Sequence, residues 1–410
     1  MIASGWQPTP FRQFILKIHS RCDLACSYCY MYEMADQSWR SRPRHMSPET
    51  VTATAARIAE HAHAHDLTSV ELILHGGEPL LAGPESIRRI VTAVRSAVGS
   101  GVRVDVSLQT NATLLTSAYL TLFDELRVGV GVGVGVGVGV SLDGDERMHD
   151  RSRRDAAGKG SHSAVVEALD RLTAPRFRHL FRGLLCTVDL RNDPVGAYEA
   201  LLGFAPPTID FLLPHGNWSE PPPGRTTDET VTPYADWLIA VFDRWYGTPA
   251  EPVKVRLFGE IIHLLLGGRS ASEQIGLSPA AMVVIETDGE IEQSDLLKSA
   301  FEGAPATGLH VGRDSFDDLF LLPSTAVRQI GELALAPECV SCPVGRICGG
   351  GLYAHRYRAG SGFANPSVYC ADLLCLIGHI RAAVQRTMNK RGRFLPPGLG
   401  YFKILKTYID

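Results

Sequence analysis

The chain has 410 residues, a formal net charge of −4 and 45% hydrophobic residues. That length suits two or three domains, or one barrel with an appendage, and the charge balance offers no basic footprint for nucleic acid. No apolar run is long enough to span a bilayer, and residues 1–10 lack the basic-then-apolar order of a signal peptide. The expectation is a cytoplasmic protein, without membrane or nucleic-acid partners, whose nine cysteines serve metals or catalysis before disulfides.

The first element is a buried strand over Phe14-Ile15-Leu16-Lys17-Ile18, and just past it stand Cys22, Cys26 and Cys29. A loop with this spacing can wrap three thiolates around one face of an iron–sulfur cubane, leaving one iron for a non-protein ligand. A zinc knuckle completed by His19 is the alternative. Ser47 caps a helix that starts at Pro48 and runs to about His65; its His61, His63 and His65 are spaced by two and read as surface residues rather than a metal site. A strand over Val70–Leu74 delivers His75-Gly76-Gly77-Glu78-Pro79, where glycine lets backbone approach a ligand closely. A helix over Pro84–Val98 and a strand from Val102 to Gln109, ending at Thr110-Asn111, follow. Val128 to Val140 is a strict Val-Gly alternation. Its period says strand, but it is too long for one barrel strand and one face is bare glycine. Only the last five or six residues up to Ser141 are expected to form the fourth strand, with the rest bulging at the opposite rim. Then come Ser141-Leu142-Asp143-Gly144, a stretch from Met148 to Arg153, a helix over Ser161–Leu172, and strands over Phe181–Val188 and Ile209–Leu213. Cys186, inside the fifth strand, reads as a small core residue.

Regular alternation of strands and helices predicts an α/β fold, a partial (β/α)6 TIM-like barrel whose chemistry sits on loops at the C-terminal strand ends. His215 and Trp218 follow the sixth strand on that rim and are substrate-contact candidates. Residues 219–232 are a proline-rich linker, followed by helices over Pro233–Tyr246 and Val255–Leu266. A hairpin spans Met282 to Gln293 around Asp288-Gly289. Then Cys339, Cys342, Cys348, Cys370 and Cys375 gather, enough thiols for a zinc site or an iron–sulfur cluster. Cys375, on an apolar helix from Leu373 to Val384, reads as a spare ligand or as core, with core preferred. The domain plan is a barrel over 1–218, bridging helices over 219–279, a small cysteine-rich α+β domain over 280–385 and a mildly basic tail over 386–410.

The Cys22-x3-Cys26-x2-Cys29 spacing with Tyr28 before the third cysteine resembles the radical S-adenosylmethionine (SAM) superfamily. The resemblance implies that Cys22, Cys26 and Cys29 hold a [4Fe–4S] cluster whose open iron takes the amino and carboxylate groups of SAM. One electron then releases a 5′-deoxyadenosyl radical. Gly76-Gly77-Glu78-Pro79 looks like that family's GGEP motif, which holds the SAM ammonium. It further implies that Tyr28, Asn111, Ser141, Asp143 and Val188 lie at the cofactor, and that Arg153 clamps the SAM carboxylate; a solvated surface charge is the alternative for Arg153. Cys339-x2-Cys342-x5-Cys348 is similar to the SPASM domain of radical-SAM peptide maturases. That domain usually carries seven cysteines for two auxiliary clusters. Here the hairpin has no cysteine and Leu352 stands where another ligand is expected. The set left, Cys339, Cys342, Cys348 and Cys370, suits one auxiliary [4Fe–4S] cluster, the outer one.

The wording around these motifs is closest to the FxsB-type branch, which closes cyclophanes in ribosomally made peptides. The implied function is maturation of a precursor peptide: hydrogen removal from a side-chain β-carbon, then C–C bonding to an aromatic ring, with an external electron donor. Sulfatase-type oxidation to formylglycine and thioether formation are alternatives within the class. A non-catalytic zinc-binding peptide adaptor is the alternative outside it.

Overall fold

Ten strands appear in a computed structural model that describes residues 6–390, except 127–136, 227, 229, 249–252 and 271. They are β1 (Gln13–His19), β2 (Ser69–Gly76), β3 (Arg103–Thr110), β4 (Gly137–Ser141), β5 (Phe181–Thr187), β6 (Thr208–Leu212), β7 (Lys254–Val255), β8 (Met282–Ile285), β9 (Glu290–Glu292) and β10 (Ala306–His310). The chain divides into two compact units. One holds residues up to Leu185 with Pro279–Ile330, and the other holds Cys186–Ser278 with the described residues from Gly331 onward.

In the first unit β1 lies between β2 and β8 and is parallel to both. It is buried on both faces from Phe14 to His19, which is why it reads as an apolar run broken only by Lys17 before His19. β2–β3, β3–β4 and β4–β5 continue the parallel order, while β8, β9 and β10 pair antiparallel. This is a mixed α/β fold built on a parallel sheet. The grouping of the hairpin differs from the sequence plan, which placed residues 280–385 together. Met282-Val283-Val284-Ile285 is apolar at every position, so β8 buries beside β1 and carries the hairpin into the first unit.

The helices cover the sheet by their expected stripes. Pro48–Ala64 is capped by Ser47, whose side chain accepts from the Thr50 N–H. Pro84–Val98 buries Ile87, Ile90, Val91, Val94 and Val98. The histidines of the first helix are not all on the surface. His61 and His65 are four apart, share one face and both reach Asp317. His61 is 2% exposed. Its Nε2 accepts from the Phe11 N–H at 3.0 Å, so Nδ1 carries the proton given to Asp317 at 2.6 Å. Among the described residues this is the one trio of His, Cys, Asp or Glu with all ligand atoms within 4.8 Å. With both His61 nitrogens engaged, hydrogen bonding accounts for the trio.

β4 is the last stretch of the Val-Gly repeat, as its period suggested. Val138 and Val140 are fully buried. The glycine face is not bare: a Cβ on Gly139 would sit 2.3 Å from Gln109 Oε1, and one on Gly137 would meet Arg182. The expected bulge falls on 127–136, outside the described residues.

In the second unit β6 pairs with β7 in parallel. The helix Pro233–Tyr246 begins under Asp372, whose Oδ1 accepts from Tyr234 and Ala235 N–H at 2.9 and 3.0 Å. Asp372 comes from the helix Cys370–Lys390, which buries Leu373, Leu376, Ile377 and Ile380. Cys375 is exposed, correcting the core assignment: it lies off the stripe those residues define. Cys186 is a core thiol, 1% exposed. No helix among the described residues is long and apolar enough to cross a membrane.

Candidate active site and cysteine cavity

β1 ends at His19 and releases the cysteine loop, which its neighbours pin on several sides. The Arg21 guanidinium donates to the carbonyls of Trp39 at 2.8 Å and Arg42 at 3.3 Å and lies over the Trp39 ring. Ala25 and Ser27 N–H donate to the carbonyls of Arg154 and Ser152 at 2.7 and 3.2 Å. Cys22 Sγ accepts from the Leu24 N–H at 3.4 Å. Asp23 accepts from Asn111 Nδ2 at 2.8 Å and from Thr113 Oγ1 at the end of β3. The loop is thereby fixed with its three thiols half-buried.

Burial raises all three thiol pKa values, that of Cys26 to about 11. Unliganded, the three would be protonated at neutral pH; bound iron supplies the positive charge that makes them thiolates. The donor set fits iron better than zinc. A tetrahedral zinc needs Zn–S of about 2.3 Å, hence sulfurs roughly 4 Å apart. Neither cysteine set, nor Cys22, Cys26 and Cys29 with His19, forms a group within 4.8 Å.

Gly76 and Gly77 are required by the chain itself. A Cβ on Gly76 would stand 2.2 Å from the His19 carbonyl oxygen, and one on Gly77 would stand 1.8 Å from Tyr32 Oη and 2.5 Å from the Arg21 backbone. Gly77 and Glu78 N–H donate back to His19 and Arg21 carbonyls, both at 2.9 Å. The pair of glycines thus locks the motif to the cysteine loop. Glu78 is 1% exposed, and its carboxylate accepts from Leu80 N, Thr110 Oγ1 and Asn111 N at 3.0, 2.7 and 2.9 Å. It ties the motif to β3 and starts the short turn at Pro79. Burial raises its pKa to about 7.

The Arg153 side chain is only 11% exposed and is paired with Asp143, so it is not a solvated surface charge. Its Nε donates to Asp143 Oδ2 at 2.9 Å, Tyr28 Oη donates to the same oxygen, and the guanidinium lies over the Tyr28 ring. His149, which opens the H-x-x-x-R stretch that ends at Arg153, was given no role of its own by the sequence, and it is fully buried. Its Nδ1 accepts from the Asp143 N–H at 3.3 Å and its Nε2 meets Ser161 Oγ at 3.0 Å. Burial and nearby Arg153 lower its pKa to about 4, so it is neutral. Ser141 Oγ accepts from Gln109 Nε2 at 3.0 Å.

A second missed group joins Lys17, Tyr30, His75 and Asp295. Asp295 accepts from Lys17 Nζ and, at 2.8 Å, from Tyr30 Oη; Lys17 Nζ also meets His75 Nδ1 at 2.8 Å. Lys17 holds Asp295 well below the carboxylate range against the cost of burial, while burial lowers His75 to about 4. The signal was a lysine inside an otherwise apolar strand. Nearby, Lys298 Nζ meets Glu292, Glu286 and Asp36 at 3.1, 3.2 and 3.8 Å, and Arg42 pairs with Asp288, Glu290 and Glu292. The cysteine-free hairpin is therefore anchored by buried ions.

In the second unit one cavity is lined by Cys339, Cys342, Cys348 and Cys370. Cys375 is not among its lining residues. Burial and neighbouring Cys370 push the Cys348 thiol up to about 12. Four thiols around one cavity fit a fully ligated cluster on donor chemistry alone. His215 and Trp218 also lie in this unit. The Trp218 indole N–H donates to the Pro366 carbonyl at 2.7 Å and its ring lies 4.6 Å beneath the Arg358 guanidinium; the His215 ring is 5.9 Å from that of His355. Val188 is 1% exposed, its N–H bonded to the Leu212 carbonyl at 2.9 Å.

The model of the Radical SAM superfamily matches residues 16–186. A serine-type anaerobic sulfatase-maturating enzyme of Klebsiella pneumoniae is 30% identical over 380 residues, covering 88% of this chain and 86% of the relative. The chain belongs to the radical SAM superfamily. It is an enzyme, and its family's cofactors are a [4Fe–4S] cluster and SAM. A cysteine-type anaerobic sulfatase-maturating enzyme of Clostridium perfringens is 25% identical over 293 residues, covering 70% of this chain and 74% of the relative. The solved structure of native anSMEcpe with bound AdoMet and Cp18Cys peptide superposes with a TM-score of 0.76 at 21% identity, covering 93% of this chain and 100% of that one. That likeness shows the fold.

Proposed function

We propose that this radical SAM enzyme acts on a peptide and joins a side-chain β-carbon to a nearby aromatic ring, a cyclophane-type crosslink. When bound, the cluster and SAM supply the hydrogen-abstracting chemistry. Cys22, Cys26 and Cys29 would hold the cluster, with Tyr28, Gly76, Gly77, Asn111, Ser141 and Arg153 around SAM. One C–H bond at the β-carbon and one on the ring are replaced by one C–C bond. One hydrogen atom leaves with the adenosyl fragment. The second departs as a proton and an electron, the electron taken by an outer cluster on Cys339, Cys342, Cys348 and Cys370. An external electron donor and a cytoplasmic setting complete the reading.

The observation that carries the crosslinking reading is the hairpin. Where the two-cluster layout needs thiols, this chain has Glu286, Glu292 and Lys298 in a buried ion network. The enzyme thus departs from that layout at a whole site. A second reading, sulfatase-type oxidation, is favoured by the similarity to sulfatase-maturating relatives.

Anaerobic reaction with two peptide sets, followed by mass spectrometry, separates the two. One set presents an aromatic residue two positions from a target residue, and the other presents Ser or Cys in a sulfatase-like context. Loss of two hydrogens, no aldehyde trapped by a hydrazide, and no backbone fragmentation inside the three-residue ring support the crosslink. An aldehyde from Ser, or loss of sulfur from Cys, replaces it with the second reading.

A further inference from the structure

The cysteine cavity of the second unit has a buried cation beside it that the sequence did not mark. Arg356 is 9% exposed. Its Nε donates to the Gly350 carbonyl at 3.1 Å, and its Nη2 donates to the carbonyls of Gly351, at 2.9 Å, and Gly349. Its guanidinium also faces the Tyr353 ring at 5.5 Å. Among the described residues no carboxylate lies within 4.0 Å of it. A buried charge without a counter-charge is strongly destabilising. Arginine does not escape by losing its proton. The charge that can answer it is that of a cluster in the adjoining cavity, which Gly350, a carbonyl partner of Arg356, lines together with Cys339 and Cys348.

The backbone between them is built for this. Gly349, Gly350 and Gly351 all take positive φ, at 62°, 78° and 67°. Three left-handed residues in a row turn successive carbonyls to one side, where the arginine fork collects them. Gly350, whose carbonyl the arginine holds, also lines the cavity. A Cβ on Gly349 would stand 1.8 Å from the Gly276 carbonyl oxygen, and one on Gly350 would stand 2.9 Å from the Arg356 guanidinium carbon. Neither position has room for another residue.

We propose that Arg356 is the internal counter-cation of the cluster held by Cys339, Cys342, Cys348 and Cys370. It holds the three-glycine turn that follows the ligand Cys348, and its charge raises the cluster's reduction potential. Net charge and hydrogen bonds to sulfur are the levers that set such potentials. A cation favours the reduced, more negative state, so Arg356 poises this cluster to accept an electron. Arg356 is a positioning residue: it touches the ligand loop, not substrate. The inference rests on the outer-cluster reading above.

The test is potentiometric titration of both clusters, followed by electron paramagnetic resonance, in the parent, Arg356→Gln and Arg356→Lys. The first cluster serves as an internal reference in each sample. Arg356→Gln is expected to disfavour outer-cluster reduction at least tenfold, a potential more negative by about 59 mV for one electron. Arg356→Lys keeps the charge but not the three-carbonyl fork, so it should shift the same way by less. An unshifted potential in Arg356→Gln, with iron retained, overturns the proposal. If Arg356→Gln assembles no outer cluster, Arg356→Met takes its place as the uncharged variant, and an unshifted potential there overturns the proposal instead. A parent that carries no iron in this cavity breaks the outer-cluster reading itself, a distinct result from an iron cluster indifferent to Arg356.

Discussion

The two cysteine sets are built in opposite ways. Cys22, Cys26 and Cys29 sit on one loop, and that loop is held from outside by Arg154, Ser152, Asn111, Thr113 and the Gly76-Gly77 turn. Cys339, Cys342, Cys348 and Cys370 wall a cavity from separate short segments, with the cation at Arg356 and the glycine turn beside it. Three ligands on a braced loop would leave an iron position for SAM. Four ligands around one cavity would leave none. The difference teaches that two sets of thiols in one chain can differ both in ligand number and in the surroundings that hold them, as the proposed division into a SAM site and an electron-transfer site requires.

The largest effect on that contrast should come from the loop. Cys26→Ala removes one of three ligands that have no substitute nearby and should abolish 5′-deoxyadenosine formation. Product at the parent rate in this variant, measured by chromatography under reducing conditions, places the SAM site elsewhere. Changing Cys339 and Cys342 to Ala together should remove about half the iron, four of roughly eight atoms for two four-iron clusters, while SAM cleavage continues. Loss of SAM cleavage in a folded double variant would merge two sites that the account keeps separate.

The hairpin sharpens the comparison from a third side, because it uses ions in place of thiols. Lys298→Met leaves Glu286 and Asp36 buried without their lysine and Glu292 with Arg42 alone. Breaking such a network should lower stability by about 3–5 kcal/mol, read as the midpoint of urea unfolding. A change below about 1 kcal/mol, the range of exposed ion pairs, would mean that water reaches the network.

The smallest expected effect is on pH. His75 and His149 are held neutral, each with its pKa lowered to about 4 from 6.5. A histidine with a depressed folded pKa stabilises the fold above its unfolded pKa and loses that contribution as pH falls. Stability should therefore drop between about pH 6.5 and 4, by up to about 3 kcal/mol for each histidine. His149→Asn should remove part of this slope. Thermal melts across the range with an unchanged slope in that variant would exclude His149 as a contributor.

Much of this was legible in the chain. The strand before Cys22, the cap at Ser47, the helix Pro84–Val98 and the last turn of the Val-Gly repeat into β4 all follow from local pattern. The cysteine sets were legible because thiol spacing is a local signal. What escaped depends on pairings distant in sequence. Lys17 meets Asp295 across 278 positions, and His61 meets Asp317 across 256. The placement of β8 beside β1 is equally non-local, and it moved the hairpin from the cysteine-rich segment into the first unit. Arg356 looked like one more charged residue until its three carbonyl partners were seen.

The central claim is one SAM-binding cluster and one fully ligated cluster. Mössbauer spectroscopy of anaerobically reconstituted protein, with iron and acid-labile sulfide on the same sample, tests it most directly. The account predicts two [4Fe–4S] clusters and about eight irons per chain, with SAM perturbing the iron of only one of them. Close to twelve irons, or zinc in place of iron in the second cavity, would contradict it.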